Sequence, residues 1–253
     1  MSGLDEERRR VLRRLLGGVT AAALTGCDTA SRSGWFPPVL GKAENLSRIT
    51  QRLARQTMAQ EFTEADLSPE FRSNGSSNPG TEEYQRLAQN GFADWSLQIG
   101  GLVNRPTGFS LAALRAMPSR TQITRHDCVE GWSAIGKWTG VPLREVLDRV
   151  APRPEARYVV FHCADPMDGK ELYYESIDFD DAYHPQTILA YGLNDATLPI
   201  KNGAPLRVRI ERQLGYKMAK YLMRLDLVSD LRNIRGGKGG YWEDRGYEWY
   251  AGI

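Results

Sequence analysis

Thr124-Arg-His-Asp-Cys-Val-Glu-Gly-Trp-Ser133 decides how the rest of the chain is read. Cys128 stands there between two textures of sequence. Upstream, Thr121-Gln-Ile-Thr124 alternates as a strand does. Downstream, Gly131, Gly136 and Gly140 punctuate Trp132 and Trp138, and Val141 to Val150 reads as an amphipathic helix with Pro142 in its first turn. A thiol between a strand and a glycine-rich turn is carried by rigid scaffold. It is open to a soft metal, to a reaction or to a disulfide.

Working outward, the neighbouring segments are short. Trp95 to Val103 alternates and turns at Gly100-Gly101, and Ser110 caps a helix over Leu111–Met117 that Pro118 stops. Arg157 to Ala164 reads as a buried strand that brings Cys163 to its C-terminal end, and Leu172 to Ile177 as another strand. In Leu206-Arg-Val-Arg-Ile210 the two arginines alternate with apolar residues, so one strand face carries Arg207 and Arg209. Such a face is either a solvated edge or a grip for an anion. The tail from Gly236 to Tyr250 is rich in glycine and aromatics and is expected to cover a rim of the core. Short strands, turns and few helices predict an α+β fold with mixed β-sheets and short peripheral helices.

The N-terminus reads as an address. Arg8-Arg-Arg-Val-Leu-Arg13 has the twin-arginine pattern, and the apolar run from Leu15 to Gly26 is too short to span a membrane but suits a signal core. Leu24-Thr-Gly-Cys27 resembles a lipobox, which implies cleavage before Cys27 and lipidation of its thiol. Residues 1–27 are therefore expected to be a twin-arginine signal with lipobox. Residues 28–64 follow as linker and an amphipathic helix from Lys42 to Phe62, and 65–253 as the working domain. The expected location is the periplasmic side of the cytoplasmic membrane, held by the lipid.

The signal also carries the charge imbalance. Residues 1–26 hold five of the 33 basic and three of the 31 acidic residues, which leaves 28 against 28. A balanced chain gives no footing to a nucleic-acid partner. Twin-arginine export carries folded proteins, often with a cofactor already inserted. Beyond Cys27 only Cys128 and Cys163 remain, and in an oxidising compartment they could pair. Zinc is not indicated, because there is no Cys-x-x-Cys and His126, His162 and His184 are scattered.

Four ordered motifs carry a likeness over about residues 65–235. They are Cys128-Val-Glu-Gly-Trp-Ser133 with Trp138-Thr-Gly-Val-Pro-Leu143, His184-Pro185, Asn202-Gly-Ala-Pro-Leu-Arg207, and Gly215-Tyr-Lys217. Together they resemble the sulfite-oxidase-type molybdopterin-dependent oxidoreductases, and among these the catalytic subunits of periplasmic methionine-sulfoxide reductases. The resemblance implies a molybdenum–molybdopterin cofactor with Cys128 as the thiolate ligand of the metal. It implies cofactor contacts at Asn202 and Arg207, at Met218, Ala219 and Lys220, and more loosely at Asn74, Ser77 and Asn78. Cys163 stands where the reductases carry a threonine that contacts the cofactor, and a thiol cannot donate there as a hydroxyl would. His126 and Asp127 replace a methionine and an arginine, which points to a different substrate mouth.

The implied reaction moves an oxygen atom to or from a small sulfur-type substrate, as an S-oxide reductase or a sulfite dehydrogenase would. Cys128, Arg125, His126 and Arg209 form the expected catalytic set. Arg125, His126, Arg209 and Lys217 are candidates to steer an anionic or S-oxide substrate. Glu130 is expected to hold the turn. With no haem-attachment or flavin motif, electrons are expected to pass through a membrane cytochrome b or a cytochrome c. The alternative is a lipoprotein that keeps the fold as a non-catalytic cofactor-binding subunit.

Overall fold

The computed structural model describes residues 58–253, with 33–36 and single positions 39, 42, 46, 49 and 50 ahead of them. The twin-arginine signal, Cys27 and most of the 28–57 segment lie outside the described residues. The chain divides into two compact units, Met1–Gln56 and Thr57–Ile253. In the first, the described positions from Phe36 to Thr50 are helical. That helix does not reach Phe62. Ala59 has both its backbone groups engaged by the Gln186 side chain, at 2.7 and 2.9 Å. Glu61 then bridges Thr124, and the Phe62 amide donates to the Ile123 carbonyl. The backbone there pairs with a strand instead of with itself.

The second unit is built on two five-stranded sheets. The first takes β1 (Ser96–Gly101), β2 (Thr107–Ser110), β5 (Tyr158–Met167), β6 (Glu171–Asp178) and β10 (Leu222–Val228), in the order β2-β1-β10-β5-β6. It is mixed, since β1 and β10 run parallel and the other pairs antiparallel. The second takes β3 (Arg120–Asp127), β4 (Ser133–Pro142), β7 (Ile188–Leu193), β8 (Ala196–Thr197) and β9 (Arg207–Arg209), all antiparallel. Four short helices lie around them: α1 (Glu82–Gln89), α2 (Leu111–Arg115), α3 (Leu143–Val150) and α4 (Phe179–Ala182). Ser110 caps α2 as expected, its hydroxyl accepting from the Ala113 amide. Two boundaries move. Pro142 ends β4 and caps α3 from outside it, and β5 continues to Met167, so Cys163 lies mid-strand. Among the described residues no helix is long and apolar enough to cross a membrane.

Between the sheets lies the main apolar core. It takes Leu97 and Ile99 from β1, Val159 and Phe161 from β5, Leu225 and Leu227 from β10, and Val146, Leu147 and Val150 from α3. Close approach of β4 and β7 has a local cause at Gly140. A Cβ there would lie 2.3 Å from the Leu189 carbonyl oxygen and 2.6 Å from the Ala190 Cα. The β4–β7 register also shifts at this point. Gly140→Ala is therefore expected to cost about 3 kcal/mol, read as a lowered midpoint in thermal unfolding.

The outer face of the second sheet is unusual. Direct pairs put Gln122, Thr124 and His126 of β3 beside Trp138, Gly136 and Ala134 of β4. They also put Arg207 and Arg209 of β9 beside Ala190 and Ile188 of β7. Gln122, Thr124, His126, Arg207 and Arg209 are all buried. The arginine face is therefore sealed inside the protein and is not a solvated edge.

Candidate functional site

Cys128 sits at the tip of the β3–β4 hairpin. Its amide donates to the Trp132 carbonyl at 2.9 Å, and its carbonyl accepts from the Gly131 amide at 3.0 Å. The neighbouring acids hold this tip. Asp127 accepts from Arg125 Nε at 3.0 Å and from the Ser133 hydroxyl at 2.5 Å, and Glu130 accepts from the Trp132 indole at 2.8 Å. Arg125 is thus an exposed clasp on the hairpin.

The thiol opens on a cavity of about 180 Å³. The 74–76 loop and the Cys128–Glu130 turn form part of its wall, and Gly215, Tyr216, Met218, Ala219 and Lys220 form another. Asp165, Met167 and Tyr173 contribute from the first sheet, and Trp242 and Tyr247 from the tail. Burial pushes the Cys128 thiol up, and the Glu130 carboxylate adds to it.

Behind that wall lies a patch of buried positive charge. Arg207 donates to the Asn202 carbonyl at 3.0 Å and to the Met218 carbonyl at 3.2 Å, while its Nε has no partner. Lys220 donates to the Asn74 carbonyl at 2.6 Å and to the Ser76 and Lys201 carbonyls. Neither cation makes a salt bridge among the described residues. Burial and then Arg209 lower Arg207 to about 9, and burial with Arg207 lowers Lys220 to about 7. Asn202 Nδ2, Trp138 Nε1 and His126 Nε2 are also buried without partners. Unmet buried donors beside uncompensated cations are costly unless an anion with several acceptor atoms arrives.

Lys220 titrates near 7 when folded and near 10.4 when unfolded, so between these values the unfolded chain binds more protons. Without an anion, stability should rise as pH is raised from about 7 to about 10. Lys220→Met should remove the part of that rise between about pH 7 and about 9 in denaturant titrations, since above about 9 Arg207 adds a rise of its own.

The expected residues divide clearly. Cys128, Asn74, Met218, Ala219 and Lys220 line the cavity, with Asn202 and Arg207 directly behind Met218 and Lys220. Ser77 and Asn78 do not line it. Lys220 draws in the carbonyls of Asn74 and Ser76, and Asn78 turns away to accept from the Gly80 amide at 3.0 Å. Cys163 is a core thiol packed among the apolar side chains, and burial pushes it well up. The two cysteines are both free, so the disulfide reading falls.

Three candidate steering groups are also displaced from the mouth. His126 and Arg209 are sealed in the sheet face, with Arg209 paired to Glu211 at 2.6 Å. Lys217 is buried between Glu175 and Glu243. Burial pulls that lysine down, but the two carboxylates outweigh it and the net shift is upward. Asp165, Tyr173, Trp242 and Tyr247 were not singled out in the sequence, since none belongs to a local motif. Burial raises the Asp165 carboxyl to about 6.

The family described as "Oxidoreductase molybdopterin binding domain" matches residues 85–233. The protein-methionine-sulfoxide reductase subunit YedZ1 of Azospira oryzae is 44% identical over 160 residues, covering 63% of this chain and 56% of that protein. The protein-methionine-sulfoxide reductase catalytic subunit MsrP of Xanthomonas axonopodis pv. citri is 34% identical over 236 residues, covering 89% of this chain. The chain thus spans 56% of the first relative's length and 71% of the second's. Among solved structures, the sulfane dehydrogenase SoxCD of Paracoccus pantotrophus aligns with a TM-score of 0.51 at 22% identity. That alignment covers 57% of this chain and 40% of the other, and it bears on the fold alone.

Proposed function

The chain belongs to the molybdopterin-binding oxidoreductases, and on that footing we propose that it reduces small S-oxides at a molybdenum held by Cys128. The observation that carries this reading is a single arrangement. Cys128 opens on a cavity lined also by Lys220, and behind its wall lie the unpaired donors Arg207 Nε and Asn202 Nδ2.

That arrangement fits a phosphorylated pterin. Arg207 can grip a phosphate through the Nε that has no partner, Lys220 adds charge, and Asn202 offers its amide. Cys128 supplies the soft sulfur that such a metal prefers, once the bound cation offsets the cost of ionising a buried thiol. When bound, the cofactor supplies a metal able to exchange an oxygen atom and two electrons with a substrate. Overall, an S-oxide takes up two electrons and two protons and leaves as the sulfide and water.

The mouth supports the direction. Trp242 stacks on Tyr247 with centroids 5.3 Å apart, and Tyr216 meets Tyr247 edge-on at the same separation. Met167 and Val129 complete an apolar wall. Such a surface suits a neutral sulfoxide, whose sulfur and methyl groups pack on aromatic rings, better than a sulfite anion. The names of the methionine-sulfoxide reductase relatives point the same way.

Delivery and electron supply complete the proposal. Arg8–Arg13 and Cys27 support twin-arginine export and a lipid anchor on the periplasmic side of the membrane. Electrons then come from a membrane cytochrome b or a cytochrome c. A substrate panel on the purified protein tests the reading. Reduced viologen should be oxidised by S-oxides, methionine sulfoxide among them, and ferricyanide should not be reduced by sulfite. The opposite pattern refutes the reductase reading.

A further inference from the structure

Glu211, Arg209 and His126 form a buried chain on the outer face of the second sheet. Glu211 accepts from Arg209 Nε at 3.0 Å and from Nη2 at 2.6 Å. Arg209 Nη1 lies 2.9 Å from His126 Nδ1. A guanidinium only donates, so Nδ1 must accept and carry no proton. The ring proton then resides on Nε2. That nitrogen is buried and has no partner.

Two further observations point this donor outward from the sheet. The ring is wedged between Phe71 and Trp132, with centroids 5.7 and 5.5 Å away, so it cannot turn to find another acceptor. Its Nε2 edge lies against Gly215, a residue of the cavity wall, where a Cβ would come within 2.4 Å of both Cε1 and Nε2. Only a glycine at 215 leaves room for the ring there, so Nε2 lies directly behind the wall that Gly215 helps to form.

We infer that His126 is a neutral, Nε2-protonated hydrogen-bond donor to the bound cofactor, held in that tautomer by the Glu211–Arg209 pair. It is a cofactor-binding residue fixed by two positioning residues, and it explains why a polar ring occupies a sealed sheet face. The inference rests on the cofactor reading above, and it adds a contact that the phosphate grip of Arg207 and Lys220 does not include.

The test is a two-bond proton–nitrogen spectrum of the protein labelled at its histidines. Spectra are taken on cofactor-loaded protein and on chain from a host that makes no molybdopterin, with His126→Gln to assign the signal. The expected result is an Nε2–H tautomer in both, with the Nε2 and its proton shifted in the loaded form. A second measurement follows cofactor release during dialysis at raised temperature. His126→Phe should lose cofactor about tenfold faster than the parent, while His126→Gln, which keeps an amide donor, should stay within about twofold. An Nδ1–H tautomer, identical Nε2 signals in the two forms, or unchanged retention in His126→Phe would each overturn the inference. Should His126→Phe not fold, the two spectra of the parent chain decide alone. Parent protein that never carries a cofactor would instead sink the functional reading itself, a different outcome.

Discussion

Cys128→Ser is expected to lower the proposed turnover of S-oxides by on the order of 10³-fold or more, while leaving the fold in place. The side chain sits at a hairpin tip whose geometry comes from other groups. Backbone bonds between Cys128, Gly131 and Trp132 shape the turn, and the Asp127 and Glu130 side chains brace it. A serine fits the same backbone and differs by one atom. What it cannot supply is the soft, ionisable sulfur on which ligation depends. Thermal unfolding of the cofactor-free chain should therefore change little, and activity measured with reduced viologen should vanish. Retained turnover would show that the metal is held elsewhere.

Lys217→Met has the largest expected effect on stability. Its ammonium lies 2.5 Å from Glu175 Oε1 and 2.6 Å from Glu243 Oε1, with all three side chains sealed from solvent. Removing the lysine leaves two carboxylates facing each other in the interior, which typically costs about 3–5 kcal/mol. For a unit of this size the midpoint of thermal unfolding should fall by roughly 10 °C or more. The damage should concentrate at the cavity, because Glu243 lies between Trp242 and Asp244 in the tail that walls it. Adding Glu175→Gln and Glu243→Gln to the same chain should recover part of the loss, since it then buries no unpaired charge. A single variant as stable as the parent would mean that the tail is held by its aromatic contacts alone.

Much of the site was legible in the sequence, for a physical reason. Cys128, Asn202, Arg207 and Lys220 stand in recognisable local patterns, and the fold brings them to one cavity or directly behind its wall. The alternation of Leu206 to Ile210 correctly placed both arginines on one face. It could not say which way that face looked, because solvated arginines are the commoner case and burial depends on what packs over the face. In β3 the pattern misleads outright. Ile123 is the apolar residue, yet Gln122, Thr124 and His126 are the ones that point inward. His126 therefore read as part of a mouth when it belongs to the floor behind Gly215. The tail was expected on a rim. Its role as a cavity wall depends on ion pairs between Lys217, Glu175 and Glu243, which are distant in sequence and leave no local signature. Cys163 lies in the core, and a thiol in a strand looks alike in sequence whether it faces a ligand or the core.

Cys128 and the Arg207–Lys220 patch are proposed to hold a molybdenum cofactor in this chain. Molybdenum and pterin analysis of the full-length protein, purified from a host that makes the cofactor, tests this most directly. The account predicts close to one of each per chain in the parent, with the metal lost in Cys128→Ser and the pterin weakened in Arg207→Met. Well-folded parent protein free of both molybdenum and pterin would contradict it.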